Sequence, residues 1–275
     1  MKEIVKNQIQ YEMKMGILCR WKTYVMLFLL FSGLALIIWY SLKENSAVSP
    51  SAMDCFVQIF YGTEELKKAD YTSSFYIPKE LAIAQIPYFI LAVSYPVSEY
   101  RERGIQYLLR SKSCLSWWMG KIFWLAVMTV LYYVLLFAAQ AAVTGLLEGG
   151  AGIFRLGQEW PESIQTPGAG RLIGWTEVML IVTGVATGIM EIFLALALHP
   201  VIAVSAAIGT LAAAVYEIRP WLLENYVMLC RNRMVIGSQG ADNRIGIVIS
   251  CMVMIGGCWL GWKWIRKREF ISAEK

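Results

Sequence analysis

Apolar residues fall in long blocks along this chain, not in the alternating or 3.6-residue patterns of a soluble core. Uncharged runs cover residues 23–42, 81–98, 122–147 and 245–262, and the run 178–215 carries one charge, Glu191. These blocks reach or approach the roughly 20 residues an α-helix needs to cross a bilayer core. The 178–215 block is too long for one crossing of roughly 30 Å at about 1.5 Å per residue. His199-Pro200 sits near its middle, and proline lacks an N–H and restricts the residue before it, so a helix ends there. The pattern predicts an all-α integral membrane fold, one transmembrane domain over residues 1–275. Its six spans fall at about 23–42, 81–98, 120–145, 177–198, 200–216 and 245–263.

The polar intervals give the expected orientation. Residues 1–22, 99–121 and 263–275 each hold five basic and two acidic residues. The intervals on the opposite side, about 43–80, 146–176 and 217–244, are acidic when taken together, although 217–244 alone holds four basic and three acidic residues. Basic flanks stay in the cytoplasm, so both termini are expected there. The formal net charge of +5 is then flank charge and not a nucleic-acid footprint. Composition agrees: 57% of the residues are hydrophobic and 16% charged, against roughly 25% charged in soluble domains. The first apolar block is too long for a signal-peptide core and follows a charged tail, so it reads as a retained anchor.

Inside the polar intervals the signals are weaker. In the N-terminal tail Ile4, Tyr11, Met15 and Leu18 share one helical face, which Gln8 interrupts. A helix lying in the membrane interface and a frayed tail are both open readings. Residues 53–61 are mostly apolar and are expected to rest on the membrane surface. Cys55 and Cys230 fall in expected external loops, where a disulfide and two unpaired thiols are both open. None of the six cysteines forms a CxxC pair. Trp21, Trp117, Trp118, Trp175, Trp221, Trp262 and Trp264 stand near span ends, the depth indole rings prefer.

Several chemistries lack their residues. There is no GxxxxGK[ST] phosphate loop. His199 is the one histidine, which excludes a zinc site of several histidines. Glu64-Glu65 opens a CAAX-type intramembrane protease motif, but position 69 is Ala where that motif needs Arg. The chain is therefore expected not to be an enzyme and to hold no metal or cofactor of its own.

Within the spans, Glu191 is a candidate for a translocation path because a charge there is costly. A bond to a neighbouring helix or snorkelling toward the cytoplasm explains it equally well. Gln140 is a candidate partner, or structural glue. Gly184 and Gly188, and Gly257 and Gly261, form two GxxxG patterns that let helices approach closely.

SEYRERGIQYLLR, residues 98–110, sets Glu99, Arg101, Glu102, Arg103 and Arg110 between two uncharged blocks. On a helix Glu99 and Arg103 form an i,i+4 pair, and Ile105, Leu108 and Leu109 make an apolar patch. An amphipathic linker on the lipid surface would look the same. Residues 95–110 followed by 116–121 resemble permeases of the type-2 ABC transporter family. Those proteins commonly carry a glutamate at the end of the second span, then a glycine and a Leu-Leu pair, then Gly-Lys at the start of the third. Glu99, Gly104, Leu108-Leu109 and Gly120-Lys121 match here. Residues 224–231, ENYVMLCR, are similar to the external loop before the last span in the peptide-export and lantibiotic-immunity branch.

The resemblance implies the transmembrane subunit of an exporter in a bacterial plasma membrane. It would pair with a second permease subunit, identical or sister. It would dock separate ATP-binding cassette ATPase subunits, which carry the ATP and Mg, through a coupling helix over 99–110. Glu99, Arg101, Glu102, Arg103, Gly104, Leu108 and Leu109 would form that contact. The cargo would be hydrophobic or amphipathic, such as an antimicrobial peptide. The competing reading is a stand-alone immunity or sensor protein that binds a peptide on its external loops.

Overall fold

The computed structural model describes residues 2–45, 49–63, 78–111, 114–148, 156, 160 and 169–273. Side chains are described at 7–45, 49–63, 78–101, 115–148, 156, 160 and 170–267. Among the described residues there are helices, turns and one isolated bridge, Asn232 to Ala241, and no strand. The helices are α1 (Lys2–Gly16), α2 (Trp21–Asn45), α3 (Ala52–Phe60), α4 (Lys79–Ser111), α5 (Cys114–Glu148), α6 (Ala169–Ala197), α7 (Pro200–Tyr216), α8 (Arg233–Ile236) and α9 (Asn243–Ala273).

Five segments, within 7–45, 79–101, 115–148, 170–197 and 243–267, are long and apolar enough to cross a membrane. That is the pattern of a multi-pass membrane protein. The predicted break at His199-Pro200 is present. α6 ends at Ala197, Pro200 opens α7, and His199 caps α7 by accepting from Val201 N–H at 3.3 Å through Nδ1. The helix expected as the sixth span, α7, is apolar and has 17 residues, fewer than the other five and at the lower end of the roughly 17–25 that cross a bilayer.

α6 packs against α4, α5, α7 and α9 and forms the centre of the bundle. In the most apolar windows of α4 and α6, 61% of residues are buried, against 28% in α2 and 22% in α9. α2 and α9 are thus peripheral and present bare apolar side chains, such as Ile37 and Ile255, the latter 71% exposed. Such surface suits hydrocarbon and not water. The core is aromatic, with Phe31, Tyr88, Trp117, Trp118, Trp124 and Tyr132 buried.

Several expectations need correction. The segment 99–110 is not a separate helix; it is the last part of α4, which runs unbroken for 33 residues, roughly 50 Å. Hydropathy ends at Ser98, but Glu, Arg, Gln and Leu all propagate a helix well. Residues 53–61 do not lie on a surface. Ser51 and Asp54 form a reciprocal capping box that starts α3, and Cys55, Val57 and Phe60 are fully buried against the bundle. Trp160 Nε1–H donates to Asp54 Oδ1 at 2.8 Å and fixes this end. Cys55 and Cys230 are both buried, and no disulfide joins them. Nor are 217–244 an open loop: short 3-10 turns and α8 fold them into a packed cap.

Candidate functional site

The N-terminal helix carries the residue that organises the most unusual site. α1 is a continuous helix that docks on α5 and buries Gln8 and Glu12. Two glycines permit this approach. A Cβ on Gly120 would stand 2.9 Å from Gln8 Cγ and 3.2 Å from Glu12 Cγ. A Cβ on Gly16 would stand 2.8 Å from Tyr95 Cε1 and still closer to Trp124. With hydrogen in those places, Glu12 on α1 reaches Lys121 on α5.

Glu12 and Lys121 side chains are both 0% exposed, and Lys121 Nζ lies 2.6 Å from Glu12 Oε2. Tyr95 O–H donates to the same oxygen at 2.7 Å, and Gln8 Nε2–H donates to Glu12 Oε1 at 2.7 Å. Glu99 of α4 forms a second ion pair with Lys121. The ammonium also sits 4.3 Å from the Tyr95 ring centroid and 5.3 Å from that of Trp117. Arg20, just before α2, stands 5.0 Å from the Tyr95 ring and donates to Ser98 Oγ at 2.7 Å. The cluster holds two carboxylates and two cations and is formally neutral. It joins α1, α4, α5 and the entry to α2 where α4 leaves the apolar bundle. Charges buried this deeply persist only when paired and hydrogen-bonded.

Sequence reasoning reached part of this site. Glu99 and Lys121 came from one motif, and the structure brings them together. Glu12, Tyr95 and Arg20 were missed, although Gln8 on an apolar face was a signal that something polar is buried there. Arg101 is exposed in the last third of α4. The side chains of Glu102, Arg103, Gly104, Leu108 and Leu109 lie outside the described ones.

Glu191 and Gln140 are buried, and no side-chain oxygen or nitrogen of either has a hydrogen-bond partner among the described residues. They therefore do not bond each other, contrary to the pairing considered from sequence. Nearby, Tyr88 O–H donates to Gly184 C=O at 2.7 Å and contacts Thr129 Oγ1 at 2.9 Å, linking α4, α5 and α6. Tyr132 O–H donates to Ala84 C=O at 2.6 Å. The GxxxG glycines are contact points inside the chain. A Cβ on Gly188 would meet Leu125 at 2.9 Å, and one on Gly257 would meet Ile189 at 2.7 Å. Gly261 abuts the Trp118 ring.

At the opposite end, Arg231 is 0% exposed at the heart of the cap. Its Nε–H donates to Thr63 C=O at 2.7 Å, one terminal nitrogen to Asn225 Oδ1 at 2.6 Å, and the other to Val215 C=O at 2.7 Å. It also bonds Ala214 C=O. Ala214 and Val215 end α7, so the guanidinium satisfies orphan carbonyls at the negative pole of that helix. Burial pushes the Glu224 carboxyl up to about 7. These residues belong to the 224–231 segment singled out from sequence. The chain matches no family model, no curated protein and no solved structure.

Proposed function

We propose that this chain is the transmembrane subunit of an ABC exporter, driven by a separate ATPase and moving a hydrophobic or amphipathic cargo, such as an antimicrobial peptide, out of a bacterial cell. Both termini and the far end of α4 face the cytoplasm, and a second permease subunit completes the transporter. One observation carries the reading: α4 extends past its apolar stretch as a charged arm, and its root is tied to α1 and α5 through Glu99, Lys121 and Glu12. A push on that arm is transmitted to three helices at once, which a flexible amphipathic linker could not do.

The test is a photo-crosslinking residue at Arg103 in native membranes, with transport followed in parallel. Capture of a phosphate-loop ATPase is expected, together with loss of transport in Arg101→Glu/Arg103→Glu. Failure to capture an ATPase, with unimpaired transport in the double variant, overturns the reading. Full resistance to a peptide in cells without any partner ATPase would establish the stand-alone immunity protein instead.

A further inference from the structure

A cleft of about 540 Å³ opens between α3, α5 and α6, within the roughly 300–1,000 Å³ of small-molecule sites. Its walls are apolar, with Phe56 from α3 and Tyr133 and Phe137 from α5. Its floor on α6 is made by Gly170 and Gly174, one turn apart. A Cβ on either glycine would meet nothing within 4 Å, so among the described residues no side chain occupies the space they leave. One turn further along lies Glu177, which is exposed and is the one charged residue lining the cleft among the described residues. No ion pair to Glu177 occurs among the described residues.

We infer that this cleft binds a cationic amphipath, with the apolar body against Phe56, Tyr133 and Phe137 and the cation on Glu177. The charge argument selects the occupant. A neutral or anionic apolar molecule would bring Glu177 into an apolar contact without a counter-ion, which costs free energy. A lipophilic cation satisfies the carboxylate and fills the wall at once. The glycines set the bulk the cleft admits, since an aromatic ring in place of Gly174 would project into that space. The site goes beyond the transport reading and does not depend on it, because binding is measured without an ATPase.

The experiment uses the full-length chain in phosphatidylcholine nanodiscs, with radiolabelled tetraphenylphosphonium as probe and tetraphenylborate as the size-matched anion. Saturable binding of the phosphonium and none of the borate is expected. Glu177→Gln and Gly174→Phe should each weaken binding about tenfold or more, the scale of one lost charged contact. Absence of saturable binding, equal binding in Glu177→Gln, or equal binding of the borate overturns the proposal. So does a phospholipid that copurifies with the wild type, is lost in Gly174→Phe and resists displacement by the phosphonium. Should either variant misfold, competition on the wild type decides: an unlabelled alkyltrimethylammonium must displace the probe, and its neutral alcohol must not.

Discussion

Lys121 Nζ lies 2.6 Å from Glu12 Oε2 across 109 residues of sequence, and neither side chain touches solvent. The pair is closed by Glu99 on one side and Tyr95 on the other. Its members therefore differ in what they leave behind when removed. Lys121→Met strands two buried carboxylates. Glu12→Gln leaves Lys121 with Glu99 and keeps a side chain able to hydrogen-bond Tyr95. Breaking a buried pair by deleting one partner costs about 3–5 kcal/mol, and Lys121→Met should sit at or above that range with Glu12→Gln well below it. Thermal unfolding of the purified variants in detergent checks the order; equal melting would remove the cluster's role.

The blocks of apolar residues were legible because the bilayer demands them, and the His199-Pro200 break because proline cannot continue a helix from α6. The cluster was not, because the meaning of Glu12 depends on a partner more than a hundred residues away. The nine residues of α3 were ambiguous for a different reason. An apolar stretch that short has the same composition on a membrane surface as in a core, and only the Ser51–Asp54 cap and Trp160 decide. For α4, hydropathy marks where lipid ends and says nothing about where a helix ends.

The glycines of α9 offer a comparison within one helix. A Cβ on Gly256 would meet nothing within 4 Å, whereas one on Gly261 would overlap the Trp118 ring. Gly256→Ala should be neutral or stabilising by up to about 1 kcal/mol, through lower backbone entropy in the unfolded chain. Gly261→Ala should destabilise by roughly 1–3 kcal/mol, the usual cost of overpacking. Denaturant titration of the two variants separates the outcomes; a neutral Gly261→Ala would refute the contact with Trp118.

Arg231 joins Thr63, Asn225 and the end of α7 through a planar fork of donors. Lysine offers a charge but not that fork. Arg231→Met should lose several kcal/mol, since bonds from a charged donor contribute roughly 1.5–3 kcal/mol each. Arg231→Lys should recover less than half of the loss. Protease cleavage within residues 217–242 provides the readout, and wild-type resistance in Arg231→Met would contradict the assignment.

The cap and α3 also hold the buried thiols of Cys230 and Cys55. Burial, with Asp54 beside it, pushes the Cys55 thiol up to about 12, so it is not a nucleophile near neutrality. A water-soluble maleimide should leave both unlabelled in the folded protein and label both after unfolding. Reducing agent should leave the melting temperature unchanged; a drop would reveal a disulfide.

Glu224 gives the protein a pH-dependent stability whose sign follows from burial. Its carboxyl moves from 4.5 to about 7 because the site, closed by the cap, disfavours the charged form. The folded chain thus binds this proton more tightly than the unfolded chain. Its contribution is complete below about pH 4.5 and is lost as pH rises through about 7, the reverse of a salt-bridged carboxylate. The full loss is on the order of 3 kcal/mol, from about 1.4 kcal/mol per unit. Unfolding midpoints should therefore fall between pH 5 and 8 in the wild type, and Glu224→Gln should flatten that slope. Glu191 lies within electrostatic range of Glu224, so Glu191→Gln serves as the control. If the slope survives Glu224→Gln and disappears in Glu191→Gln, the titrating group belongs to α6 and not to the cap.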